Sequence, residues 1–356
     1  MNRLTLCIFT ALGLSSTAHA LTVTPVPQAP ASSANSFAMS PDNAWIVGIM
    51  GNGRASILDA PYNYMYTSYY AGFAWSETRE INANASAVGR GYINGVGTRP
   101  FVWSNVFSQP TVLAIPAGGT DGRAMAINDA GVVAGDARTG STNSILRWTP
   151  WGSGYQMSVI LTNPTALLED INSRGTLVGD GYQYSTWSQG WMVKSNGSLS
   201  RIQPPSANSW SPVQIEDVNN YDEVVGYTAA IYNPVVYDQA FMRLGSGAYV
   251  DLSAVVKTAV GASAAANTRA NAINDNRYVV GTYATTNYSV SRGFVFDYGG
   301  QQVYDLTRMA PTGWVIERAL DIDERGRVLA TGRYNGGAQQ TVILDDPNFA
   351  FGWSKI

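Results

Sequence analysis

Ala126-Ile127-Asn128-Asp129-Ala130-Gly131-Val132-Val133-Ala134-Gly135 is the segment whose reading decides the fold. An apolar residue and an Asn lead into turn formers, an apolar pair follows, and a Gly closes the unit seven positions after the Asn. Asn at such a point bonds the backbone two residues on and tolerates positive φ, while Gly has no Cβ to clash. The segment therefore reads as one strand entering a turn and a second strand leaving it.

The pattern recurs as Ile81-Asn82 to Gly89, Ile171-Asn172 to Gly179, Val218-Asn219 to Gly226 and Ile273-Asn274 to Gly281. Two copies are degenerate: Met39-Ser40-Pro41 to Gly48, and Ile322-Asp323 to Ala330. Spacings of about 40–55 residues are those of propeller blades. An apolar strand with aromatics follows each copy, as in Pro100-Phe101-Val102-Trp103, Gly190-Trp191-Met192-Val193 and Gly293-Phe294-Val295-Phe296. A further short strand comes next, such as Tyr249-Val250-Asp251-Leu252 or Val303-Tyr304-Asp305-Leu306. Four strands per repeat is the content of one blade. Only 251–265 has room for a turn or two of helix. The expectation is an all-β, seven-bladed β-propeller built from four-stranded repeats, forming a single domain over residues 21–356.

These residues resemble the HAF-repeat family of extracellular bacterial proteins, whose pattern pairs Ala-x-x-Ile-Asn-x-x-Gly-x-Val-Val-Gly with an Ala-Phe-x-Trp strand. The resemblance spans nearly all of the chain after its first twenty residues, and five copies match the first segment well. It implies an exported repeat protein and no particular reaction. The first copy departs furthest, with Ser40-Pro41-Asp42 in place of Ile-Asn. Its next strand is Ala55-Ser56-Ile57-Leu58 or Gly72-Phe73-Ala74-Trp75; the former leaves the latter as a fourth strand and makes the blade regular. The last repeat is one strand short after Thr341 to Leu344. Leu21 to Thr24 would complete it and join the chain ends, with Phe349 to Trp353 as the rival.

The N-terminus reads as a secretory signal over residues 1–20. Arg3 gives a positive start, Leu4 to Leu14 an apolar run, and Ala18-His19-Ala20 a small-x-small cleavage site. No later stretch is long and apolar enough to span a membrane. Cleavage after Ala20 removes the single Cys and the single His. Disulfides, Cys or His zinc sites and any imidazole-based triad are then excluded. The formal net charge of −3 leaves no basic face for nucleic acid. Charged residues at 13% with aromatics at 11% exclude a coiled coil and a disordered chain.

Each repeated Asn reads as a structural turn residue. The rival is an ion site helped by Asp170, Asp217 and Asp321, each two positions before a turn residue; only Asp321 to Gly326 approaches a calcium loop, with Arg325 at a ligand position. The strand aromatics Phe101, Trp103, Trp148, Trp191, Phe241 and Phe294 read as packing between sheets. Binding is assigned to loops. The candidate ligand-binding residues are Tyr182, Tyr184, Trp187, Trp210, Tyr232, Tyr237, Tyr283, Tyr288 and Trp314, on the face shared by the within-blade and blade-to-blade connections. Tyr62 to Tyr70 is a second aromatic stretch, placed on the opposite face. Exposed Tyr and Trp suit sugar rings or a partner protein. Catalysis would fall to carboxylates such as Asp136 and Asp180, which directly follow repeat glycines, or to a Tyr or Lys base, Lys257 being the one lysine so considered. The expected function is an exported, non-catalytic, monomeric propeller that needs no metal or cofactor and binds a glycan or an exported or surface protein. A polysaccharide-degrading enzyme and a purely structural component are the alternatives.

Overall fold

A computed structural model describes residues 21–26, 37–42, 45–49, 54–59, 65–67, 72–105, 108–183, 188–205, 212–232, 235–262, 267–284 and 291–345. They form antiparallel sheets that follow the repeats, each beginning with an inner strand that ends at a turn residue. The all-β expectation holds, and the architecture is a β-propeller.

The count of seven separate four-stranded blades is corrected. There are five such blades, and residues 73–163 form one eight-stranded sheet. The join is a parallel pairing of Asp121 with Thr98. Its cause is the outer strand Thr111–Val112, which is only two residues long. That strand covers Phe101 and Val102 of the strand Gly97–Trp103 and leaves Thr98 for Asp121. The same sheet ends in two strands of ten residues, Thr142–Trp151 and Gly154–Asn163, the second of which carries no charge. Repeat counting sees neither departure.

The chain ends meet in one sheet. Thr22–Pro25 pairs antiparallel with Gln339–Asp345 in the register Val23 to Leu344. Leu21 and Val26, at either end of this short strand, are buried in two different apolar clusters, so closure is fixed by packing as well as by ladder bonds. The rival tail lies outside the described residues. In the first blade Ala55–Asp59 is the third strand, as expected, but Met65–Thr67 is the fourth. Gly72 to Trp75 instead opens the inner strand Phe73–Ile81 of the next sheet, where Phe73 is buried with its ring 5.6 Å from that of Phe101.

Apolar clusters fill the spaces between neighbouring sheets. One joins Val178, Met192 and Ile202 to Ile215, Val224 and Phe241. Phe101, Trp103, Trp148, Trp191, Phe241 and Phe294 are all at most 2% exposed. Three of the indoles also donate to backbone carbonyls, Trp103 to Ser108, Trp148 to Ala114 and Trp191 to Asp180. Two helices follow outer strands: α1 (Leu252–Val260), capped by Asp251, and α2 (Leu306–Met309), capped by Asp305. Sequence reading placed the first and missed the second, although both begin with the same Asp-Leu pair. Among the described residues no helix is long and apolar enough to cross a membrane.

Candidate functional site in the axial channel

At the turn end, each Asn works both within its repeat and between repeats. Asn172 Oδ1 accepts from the backbone N–H of Arg174 and Thr176 at 3.0 and 2.9 Å, which holds the turn. Its Nδ2 donates to the carbonyl of Asn219 in the next repeat at 2.9 Å. The same bridge runs from Asn82 to Asn128, Asn128 to Asn172, Asn219 to Asn274, and Asn274 to Asp323. Asp323 has no amide to donate. Arg327, in contact with the Asp323 carboxylate at 3.0 Å, donates to Asp42 O at 2.7 Å instead and carries the chain of bridges to the first repeat.

The closing Gly residues answer a second local requirement. Five inner strands have one extra residue before the turn, at Arg79, Met125, Glu169, Glu216 and Asn271. The bulge pushes a carbonyl against the opposing Gly: a Cβ on Gly89, Gly135, Gly179, Gly226 or Gly281 would lie 1.9–2.1 Å from that oxygen. The last repeat shifts register twice, which moves the contact away and lets Ala330 stand where the others have Gly.

The acids two positions before the turn residues are inter-repeat staples. Glu80 accepts from the N–H of Ile127, Asp170 from Val218, Asp217 from Ile273 and Asp321 from Met39, at 2.7–3.0 Å. Where the preceding repeat has Ala at this position, at Ala126 and Ala272, the N–H of Ile171 or Ile322 turns to its own Asp170 or Asp321. Burial raises all four acids, Asp170 and Asp321 to about 7, and the neighbouring acids add to it. Asp170 and Asp217 also share a hydrogen bond. With these oxygens committed to backbone N–H groups, the arrangement is that of a scaffold, and among the described residues no group of three acids is placed to hold a metal ion.

Beyond this acidic end the channel carries both signs of charge. Arg123, Arg269 and Arg318 occupy the same offset, five positions before a turn residue. Arg123 clamps Asp136 through Nε at 2.8 Å and Nη2 at 2.6 Å. Arg269 contacts Asp238 at 2.6 Å and lies over the Tyr227 ring at 4.6 Å. Burial, then Asp180, pushes Glu216 up to about 7; burial likewise brings Asp180 to about 7 against the opposing pull of the Ile215 N–H and Arg123. Glu169 is raised by burial and by both of these acids. Burial, followed by the charge on Arg269, lowers Arg318.

A cavity of about 320 Å³ opens at the end of the channel away from the Asn turns, lined by Asp238, Asn267, Arg269, Thr282, Ala284, Ser291 and Arg318. Asp238 follows Tyr237 on the strand Val235–Arg243, and Ala284 and Ser291 flank the connection that bears Tyr288. The cavity thus sits at the roots of connections the sequence marks as aromatic. The side chains of Tyr182, Tyr232 and Tyr237, which lie on strands, are outside the description, as are residues Tyr184, Trp187, Trp210 and Tyr288. Tyr283 is corrected: it lies on the strand Tyr278–Ala284, is 5% exposed and donates to Asp305 at 2.8 Å, so it packs and is no exposed loop group. Trp314 is half-buried at the start of an inner strand, its ring 5.5 Å from that of Tyr334. In the Tyr62 to Tyr70 stretch, Met65–Thr67 is a strand and the side chains lie outside the description. Lys257 is buried on α1, with its pKa lowered by that burial. Asp136 is held by Arg123, and Asp180 is buried on the strand Leu177–Gln183, close enough for its charge to raise Glu216. Sequence reading named these two acids and missed Arg269, Arg318 and Glu216. The signal was present as polar residues recurring at fixed offsets from each turn on strands otherwise buried.

No family model matches the chain, and no curated protein matches it significantly. Solved structures are similar in fold. An oligogalacturonate lyase from Vibrio parahaemolyticus aligns at a TM-score of 0.58 and 10% identity, over 94% of this chain and 95% of that one. The WD40 repeats of RRP9 align at 0.53 and 11%, over 91% and 98%. One of two structurally studied prolyl endopeptidases aligns at 0.55 and 8%, over 88% of this chain; this chain spans 46% of that protein's length. At these identities the likeness is one of scaffold, and propellers host many activities.

Proposed function

We propose that this protein is an exported, non-catalytic propeller that binds a glycan at the channel mouth. The observation that carries the reading is the cavity lined by Asp238, Asn267, Arg269, Thr282, Ser291 and Arg318. Fixed polar groups in a concavity give a ligand its orientation, and the neighbouring sequence holds Tyr232, Tyr237 and Tyr288, residues of a type that stacks on sugar rings. The signal-like first twenty residues and the resemblance to HAF repeats support export.

The test is a glycan array probed with residues 21–356, run beside an assay for new reducing ends on the same polysaccharides. Binding without cleavage is the expected outcome; silence on every glycan sinks the reading in favour of a protein partner or an architectural role. A second reading, glycan cleavage, is favoured by Asp180 and Glu216, whose carboxyls sit near 7 and so exchange protons at neutral pH. New reducing ends that disappear in Asp180→Asn would establish it.

A further inference from the structure

The outer strand Gly154–Asn163 is ten residues long, and among the described residues its free side pairs with no other strand. The outer strands of the five four-stranded blades are short: Thr22–Pro25, Met65–Thr67, Leu199–Ile202, Tyr249–Asp251 and Gln302–Asp305. One of them ends in Pro25, one contains Arg201, and two end in Asp251 and Asp305. Short length, charge and proline keep a sheet edge from pairing with another chain. Gly154–Asn163 has none of the three. Tyr155 and Met157 lean on the cluster around Trp148, which holds the strand in place, while Val159 remains 51% exposed.

Pro150 sets the phase of the ladder. It lies opposite Tyr155 and has no N–H to give, so that pair is not hydrogen-bonded. Opposed residues alternate between bonded and unbonded pairs, so the pairs of Trp148 with Met157 and Leu146 with Val159 are unbonded too. Tyr155, Met157 and Val159 therefore turn both their N–H and their C=O outward, up to the bulge at Ile160.

We infer that this edge pairs antiparallel with the same edge of a second copy, about a two-fold axis at Met157. In that register Met157 meets Met157, and Tyr155 meets Val159 of the other copy. All three outward-facing residues of each copy then exchange both N–H···O bonds. The strand also matches itself in its side chains. On one face Tyr155, Met157 and Val159 oppose apolar partners, with an aromatic against a β-branched residue; on the other face Gln156 opposes Ser158. With no charge on the strand, none is set against its like. A two-fold pairing is closed, so it covers the edge without propagating into a fibre. The protein is then a dimer rather than the monomer expected from sequence, and this holds whether or not the channel mouth binds a glycan.

Sedimentation velocity of residues 21–356 over a concentration series tests the inference, and a dimer is expected. Val159→Pro removes an N–H that the ladder to Thr142–Trp151 does not use. It should weaken the dimer at least roughly tenfold, the loss of one or two hydrogen bonds, with the native urea midpoint retained. Residues 21–356 contain no cysteine, so an introduced thiol can only meet its own copy. Under oxidation Met157→Cys should cross-link the dimer, because directly opposed bonded residues have Cα atoms about 5.5 Å apart, within disulfide range. Val159→Cys should not, because the two thiols would lie four residues apart, about 13 Å along the strands. A chain that sediments as a monomer throughout overturns the inference. So does a dimer that Val159→Pro leaves intact, or one that Val159→Cys cross-links as readily as Met157→Cys. If Val159→Pro unfolds early, the two cysteine variants decide alone.

Discussion

Replacing Asp321 by Asn separates the staple from its proton. Asp321 Oδ2 accepts from Met39, 282 residues away at the other end of the ring, at 2.7 Å, while Oδ1 accepts from Ile322 at 2.8 Å. Burial pushes this carboxyl from 3.8 up to about 7. Between those two values the folded chain holds a proton that the unfolded chain has released, so stability falls as pH rises through the window. At about 1.36 kcal/mol for each pH unit between 3.8 and about 7, the loss is on the order of 4 kcal/mol, about 3 of it between pH 5 and 8. An Asn at this position keeps one acceptor, loses the other and never ionises. Losing one acceptor costs about 1–2 kcal/mol at any pH. The native chain has already lost about 1.6 kcal/mol of this by pH 5, so Asp321→Asn should be about as stable as the native chain at pH 5 and more stable by about 2–3 kcal/mol at pH 8. Urea unfolding at pH 5, 6, 7 and 8, followed by tryptophan fluorescence, gives both numbers. A difference that stays constant across the series would refute the assignment of a raised carboxyl at this staple.

Three further outcomes test the scaffold. Gly135→Ala places a Cβ 1.9 Å from Arg123 O and should cost about 3 kcal/mol or more in urea unfolding, whereas Gly154→Ala, with nothing within 4 Å, should stay within about 0.5. Asn172→Asp removes the Nδ2 donations to Asn219 O and to Asp222 and sets two acids together, for an expected loss of about 3–5 kcal/mol; a loss under about 1 would show that the bridges between turns carry little. Deleting residues 21–26 exposes the edge of Gln339–Asp345, and the truncated chain should elute as aggregate in size-exclusion chromatography; a monodisperse monomer of native stability would count against closure by this strand.

What was legible in the sequence is what the backbone demands in every repeat. The turn needs Asn and the bulge needs Gly, so both recur at a fixed spacing. The forward bridge from Asn Nδ2 was not legible, because it joins residues 44 to 55 positions apart whose only mark is the repeat itself. The merger of two sheets into one was hidden for a different reason. It turns on a single pairing, Asp121 with Thr98, made available by an outer strand of two residues, and no periodicity encodes where a strand stops short. Tyr283 misled because alternation in a strand decides its side: a tyrosine written near a connection was in fact the last inward position before it.

The acids before the turns show why structural and functional columns are hard to separate from sequence. Glu80, Asp170, Asp217 and Asp321 alternate irregularly with Ala38, Ala126 and Ala272. Such scatter resembles a set of ligands more than a repeat signature. The geometry gives another reason for it. In six of the repeats the backbone N–H just before the turn residue is met by a carboxylate, from the preceding repeat at Met39, Ile127, Val218 and Ile273 and from the repeat's own Asp at Ile171, Val218 and Ile322. At Ile171 and Ile322 either supplier would do, so an Ala in the preceding repeat is tolerated where the repeat's own Asp takes over. The residues five positions before the turns face no such backbone demand. Nothing in the ladder requires Arg269; its place is set by side chains, the Asp238 carboxylate that it holds and the Tyr227 ring beneath it, so this column answers to the channel rather than to the repeat.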